Sequence, residues 1–267
     1  MTSTGTIYEI RELPRGVGTS EQVRRWAESH FDRALLILGD STEALRQHSR
    51  FWGAFERTAE PAGLAVRFDG FASPIASVAA DDPAVFNQLC EVACEGGATL
   101  VLNTKQPSPA SFQNMPQSVD SWLVSNCTKS ELDPNVEPLH DEAELQTFYS
   151  EQGMAFWCPS MLRSAQVFGI RGTSSEIVCA GGVNFVLSSL NYAQIGALAT
   201  HPAYRKRSYA TRVLMTIRSN LATMGIRLCG LFAESPSFYY KRGFSERGRF
   251  RFVEFQSDCR SGVSGYR

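Results

Sequence analysis

Apolar residues recur at helical spacing in several stretches of the chain. After Ser20, a residue suited to capping, Val23, Trp26, Ala27 and Phe31 fall on one face of a helix. Pro83 lies near the first turn of another helix, which runs to about Cys94 and stops at Gly96-Gly97. Over 208–224, Val213, Leu214, Ile217, Leu221 and Met224 share a stripe, and Gly225 supplies a C-terminal stop. The pattern also predicts helices over 43–56 and 142–152, and a short one over 236–242. Residues 33–38 are a brief apolar run ending at Gly39-Asp40.

Shorter apolar runs bounded by turn residues predict strands. In the first half these cover 63–68 and 72–80, with Asp69-Gly70 between them as a hairpin signal, then 99–103 and 122–127. In the second half they cover 136–139, 166–171, 177–187, 193–200, 226–233 and 249–255. Residues 1–18 look loose. The stretch 105–119, with Pro107, Pro109 and Pro116, is the best linker, and Asp133-Pro134-Asn135 marks a second break. The order predicts an α+β sheet protein rather than a regular βαβ repeat. Two domains are expected, 1–130 and 131–267.

Composition narrows the chemistry. The 267 residues are 43% hydrophobic and 20% charged, with a formal net charge of -1. That is a globular balance, and it argues against a nucleic-acid partner. Seven cysteines at scattered spacing and four histidines without a ligand-spaced cluster predict neither a disulfide framework nor a metal site. The first 14 residues lack an apolar core, and the longest apolar run, 177–187, is too short to span a bilayer. A cytoplasmic protein without a membrane partner is expected.

One segment carries a chemical signal. An apolar strand ends at Leu198-Ala199-Thr200, His201-Pro202 turn the chain, and Arg205-Lys206-Arg207 precede a helix that opens at Ser208-Tyr209-Ala210. A helix N-terminus offers unpaired N–H groups and partial positive charge. Three cations beside it make a cradle for a pyrophosphate. On charge and helix alone, a solvated basic loop before an ordinary helix is the commoner reading.

The string Arg205–Ala210 resembles the signature of the GNAT superfamily of N-acetyltransferases, Gln/Arg-x-x-Gly-x-Gly/Ala between a strand and a helix. Tyr239-Tyr240-Lys241-Arg242-Gly243-Phe244 resembles that fold's later Tyr-x-x-x-Gly-Phe motif. One helix and one strand separate the two, as in the family, and the likeness covers about the last half of the chain. It implies a mixed, mostly antiparallel sheet flanked by helices. It also implies acetyl-CoA as acyl donor and a primary amine, small molecule or peptide, as acceptor. Leu198, Ala199 and Thr200 would hold the pantetheine arm, and Arg205, Lys206, Arg207, Ser208, Tyr209 and Ala210 the pyrophosphate. Tyr239 would be the general acid, with Tyr240 next in line, and Glu234 is the best acidic candidate for a base. Phe156 and Trp157, in the segment that usually sets acceptor choice, would floor the acceptor site. Ser208 departs from the family's glycine, which leaves an acyl-CoA-binding or sensing module without activity as the alternative.

The first half echoes the second: a strand, Asp81-Asp82-Pro83, a helix, a glycine stop and a strand. This suggests a degenerate GNAT-like copy, so that the chain would hold two in tandem. The acids at 81 and 82 would repel phosphate, so this copy would cover the sheet edge, shape the acceptor pocket or mediate pairing into a homodimer.

Overall fold

The computed structural model describes residues 8–106, 112, 115–154, 157–164 and 166–255. Helix α1 (Glu21–Ser29) starts where the pattern puts it. The Ser20 hydroxyl accepts the Val23 N–H at 3.2 Å, and Val23, Trp26 and Ala27 are buried. The apolar run that follows is also helical, as α2 (Phe31–Asp40). Every residue from Ala34 to Asp40 is buried, so the helix carries no polar stripe to announce it.

The helix expected over 43–56 is corrected. Only Glu43–Arg46 is helical (α3), and Ser49–Phe55 is strand β2. It pairs with β1 (Glu9–Glu12), which lies in the stretch expected to be loose, and with β3 (Pro61–Phe68). Phe51, Trp52 and Phe55 suit a pleated surface, and a ladder on both sides outweighs a weak helical period.

The remaining strands are β4 (Ile75–Ala80), β5 (Ala98–Asn103), β6 (Gln117–Asn126), β7 (Glu137–Leu139), β8 (Val167–Arg171), β9 (Ile177–Leu187), β10 (Tyr192–Thr200), β11 (Leu228–Ala233) and β12 (Ser245–Phe255). β6 begins inside the expected linker, whose Pro107 and Pro109 lie outside the described residues. The twelve strands among the described residues form one sheet, in the order β1-β2-β3-β4-β5-β12-β6-β11-β10-β9-β8-β7. β4–β5 and β10–β11 pair in parallel; the other neighbours are antiparallel. Each half lends its last strand to the other. β12 enters between β5 and β6, and β6 enters between β12 and β11. Read outward from the middle, the two halves repeat one layout.

Helices cover both faces. Helix α4 (Pro83–Ala93) packs on β3 and β4, and α7 (Tyr209–Thr223) on β8–β10, both on one face. Helices α1, α2, α3, α5 (Glu142–Glu151) and α6 (Met161–Ser164) lie over the other. The seam between the halves centres on Trp122 of β6, which is fully buried. Its Nε1 donates to the Tyr192 hydroxyl at 3.1 Å, and that hydroxyl donates to Gln194 Oε1. Phe31 packs edge-on against both rings. Among the described residues no helix is long and apolar enough to cross a membrane.

Candidate active site

Strands β10 and β11 start together and then part. Tyr192–Gln194 pair with Leu228–Gly230, and beyond Gln194 β10 has no partner on that side, while β11 stays paired with β6 to Ala233. The opposite edge of β10 is irregular. Gly196 pairs with Gly182 and Ala199 with Ala180, so Ala197 and Leu198 together face Gly181. This is a β-bulge, and Ala197 takes φ +51° to make it. Gly181 lies opposite, where a Cβ would come within 2.7 Å of Leu198 Cδ1 and push that side chain aside. The last residues of β10 are thus half-buried and unpaired on the β11 side, and Ala197 and Leu198 also leave the register with β9, which Ala199 and Thr200 rejoin.

The basic loop follows directly. His201 is structural, its Nδ1 accepting the Ala203 N–H at 3.3 Å. Arg205 Nε donates to the Thr200 carbonyl at 3.2 Å. The Arg207 guanidinium lies over the Tyr204 ring, 5.1 Å from its centre, and the Tyr204 hydroxyl donates to Glu176 at 2.7 Å. Arg205, Lys206, Arg207 and Ser208 are exposed, and Tyr209 and Ala210 are half-buried. Lys206 and Ser208 both have positive φ, +63° and +62°. Ser208 therefore adopts the backbone of the glycine it replaces, at some strain. Its side chain does not cap α7, and the helix has no acid in its first turn. A groove of about 580 Å³ runs along this opening, bounded by Leu198–Thr200, Arg205, Lys206, Ser208–Thr211 and Arg242. A pyrophosphate fits this chemistry of open N–H groups, helix pole and cations.

The equivalent place in the first half is closed. Asp82 caps α4, accepting the Ala84 N–H at 2.7 Å, and Asp81 pairs with Arg33. The N–H groups that would meet a phosphate are met by a carboxylate of the chain itself.

Leu198 also borders a second cavity, of about 240 Å³, on the α2 face of the sheet. The β10 bulge, Leu231, Phe232, Asp120 and Tyr239 form one wall; Leu36, Asp40, Leu45, Phe68 and Ile75 of the first half form the other. Tyr239, on the short helix α8 (Ser237–Tyr240), is wedged edge-on between Phe238 and Phe244, and burial raises its phenol above the ordinary value. Tyr240 points away: it is exposed, and its hydroxyl donates to Glu246 at 3.3 Å. Glu234 is exposed and does not line the cavity. The acid that does so on this wall is Asp120 of β6, half-buried, its carboxyl raised by burial and next by the charge of Glu234. Sequence reasoning missed it because it belongs to the first half and reaches the site only through strand exchange. Trp157 is buried in the core, its Nε1 donating to Gln146 at 3.1 Å and its ring 4.6 Å from Tyr149. From that segment, Met154 and Met161 line the cavity instead. Phe156 lies outside the described residues.

The family profile described as an acetyltransferase (GNAT) domain matches residues 175–247, which span β9 to the start of β12 and so include both the basic loop and Tyr239. No curated protein matches the sequence. Solved structures that share the fold include a GNAT-family protein from Novosphingobium aromaticivorans, with TM-score 0.58 and 19% identity, covering 72% of this chain and 88% of that one. A GCN5-related N-acetyltransferase from Sphaerobacter thermophilus aligns over 92% of this chain and 95% of its own, with TM-score 0.56 and 12% identity. A tandem GNAT protein from the clavulanic acid biosynthesis pathway aligns over 94% of this chain and 100% of its own, with TM-score 0.56 and 13% identity. Residues 175–247 of this chain therefore match the GNAT acetyltransferase domain, and the two halves together have the fold of a tandem GNAT protein.

Proposed function

We propose that this protein transfers an acetyl group from acetyl-CoA directly to a primary amine, in the cavity between its halves. The observation that carries this reading is the adjacency of the two spaces. The groove at the uncapped start of α7 and the inter-half cavity share Leu198 and Met154 in their walls, beside the bulge in β10 that frees two successive residues.

Arg205, Lys206, Arg207 and the N–H groups of Ser208, Tyr209 and Ala210 hold the pyrophosphate. The free edge of Leu198, Ala199 and Thr200 takes the pantetheine arm, and a backbone N–H near Leu198 polarises the acyl carbonyl. The amine nitrogen forms a bond to the carbonyl carbon and the carbon–sulfur bond breaks. Tyr239 protonates the departing thiolate, a role its raised phenol suits because it keeps the proton at neutral pH. Asp120 is a better placed proton acceptor for the amine than Glu234, since it lines the cavity and burial raises its carboxyl above the usual carboxylate range, which makes it a stronger base. Residues 1–130 and 131–267 act as two units, the first supplying the far wall of the acceptor site and Asp120.

Calorimetric titration with acetyl-CoA tests the reading, on the native protein and on an Arg205→Ala/Arg207→Ala variant. Micromolar binding lost in the variant, followed by thiol release with amines, supports it. Binding without turnover of any amine would favour a sensing module, and no binding to the native protein would remove the donor site.

A further inference from the structure

The cavity holds a second carboxyl that no motif marks. Asp40 is the last residue of α2 and lines the cavity one turn after Leu36. It is 5% exposed, and its Oδ2 has no hydrogen-bond partner. The C-terminal end of a helix is its negative pole, so the helix does nothing to offset this charge. Gly39 beside it packs on the Phe185 ring so closely that a Cβ would meet the ring at 2.3 Å. Phe185 in turn pairs with Gln194, at the point where β10 leaves β11. Asp40 is thereby fixed close to the strand that forms the donor end of the cavity.

Among the described residues, none lining the cavity is a cation. Asp120 and Tyr239 are the other titratable groups on the cavity wall, and Cys158, before α6, is near enough for the Asp40 charge to raise its thiol. Burial pushes the Asp40 carboxyl itself up to about 8. An unpartnered carboxyl in an apolar wall is costly unless something completes it. The first-half wall around it is alkyl and aromatic, with Leu36, Leu45, Phe68, Phe71 and Ile75, and Asn184 and Gln194 are neutral polar side chains on the facing β9 and β10.

We propose that Asp40 sets acceptor specificity by receiving the ammonium form of a small amine whose remaining bulk is alkyl or aromatic. The N-terminal half would then choose the substrate that the C-terminal half acetylates. This rests on the acetyl-transfer reading above. Because aliphatic amines stay protonated beyond the range in which Asp40 ionises, affinity should rise with pH up to and slightly above 8.

The test uses the full chain and two probes of one shape, 2-phenylethylamine and uncharged 2-phenylethanol. Binding of each is measured by calorimetry at pH 6.5 and 8.5, on native protein and on Asp40→Asn. The native protein should prefer the amine by about tenfold or more at pH 8.5, as expected for a charged hydrogen bond. The preference should shrink at pH 6.5, and Asp40→Asn should lose it while keeping its acetyl-CoA affinity. A preference that survives the substitution, or a native protein that shows none or binds neither probe, overturns the proposal. The pH series needs no variant, so a misfolded Asp40→Asn protein does not remove the test. Acetyl-CoA binding and turnover on the same samples separate the two readings. If they fail while the amine preference stands, acetyl transfer falls and Asp40 does not; if they hold without the preference, Asp40 falls alone.

Discussion

The Asp82 carboxylate accepts the Ala84 N–H at 2.7 Å and closes the start of α4, whereas Ser208, at the matching place before α7, makes no capping bond. The two residues divide the halves by function. One helix start is satisfied by its own chain and carries negative charge; the other is left open among three cations. A helix start without a cap costs about 1 kcal/mol, which a bound anion can return.

Replacing Ser208 by glycine should relieve the left-handed backbone at φ +62°. We expect about 1 kcal/mol of added stability and tighter acetyl-CoA binding, read by thermal melts and calorimetry. Ser208→Asp should do the opposite to the ligand, placing a carboxylate where the pyrophosphate would lie. It should reduce acetyl-CoA affinity by about tenfold or more with little change in melting.

Tyr239→Phe should lower kcat by about 100-fold while acetyl-CoA affinity stays within about twofold, because only the proton for the leaving thiolate is lost. Tyr240→Phe, on the exposed side of α8, should leave kcat near native. Steady-state kinetics on both variants check this, and equal effects would remove Tyr239 from the mechanism.

The rate should rise with pH on a limb set by Asp120, displaced above the usual carboxylate range because burial disfavours the charged form. Glu234 adds to that displacement through its charge. Glu234→Gln should therefore move the limb to lower pH and keep the maximal rate, whereas Asp120→Asn should abolish the limb and most of the rate. A pH–rate profile of the three proteins distinguishes the base from its neighbour.

Asp40 also bears on stability. Its carboxyl is about 8 when folded and near the ordinary 3.8 when unfolded, so the folded state holds the extra proton between those values. The protein should lose stability as pH rises through that window, and the full loss should be present above 8. Asp40→Asn should therefore melt at the same temperature as the native protein at pH 4 and several degrees higher at pH 8.5. Thermal melts of the ligand-free proteins decide it.

Local chemistry was legible in the chain where it is written in consecutive residues. The strand ending at Thr200, the basic loop, the stripe from Val213 to Leu221 and the Gly225 stop all appear within one window, and the structure places them together. What depends on distant pairing was not. Nothing in 117–126 shows that its neighbours will be β11 and β12, so Asp120 could not be tied to Tyr239. Helix α2 was missed for a related reason: burial all round erases the polar face that periodicity reads. A signal for Asp40 did exist, since Leu36 and Asp40 lie four apart and share a face, but a lone acid closing an apolar run has no spacing partner.

The exchange of β6 and β12 also fixes when the protein can finish folding. β6 finds both of its neighbours in the second half, and β12 follows every other described strand along the chain. Until then the far edge of β5, with Leu100, Val101 and Leu102, stays unpaired. An open apolar edge invites other chains during synthesis. The N-terminal half is therefore made before the strand that covers its β5 edge, and Ser245–Phe255 close the sheet only after the second half has been made.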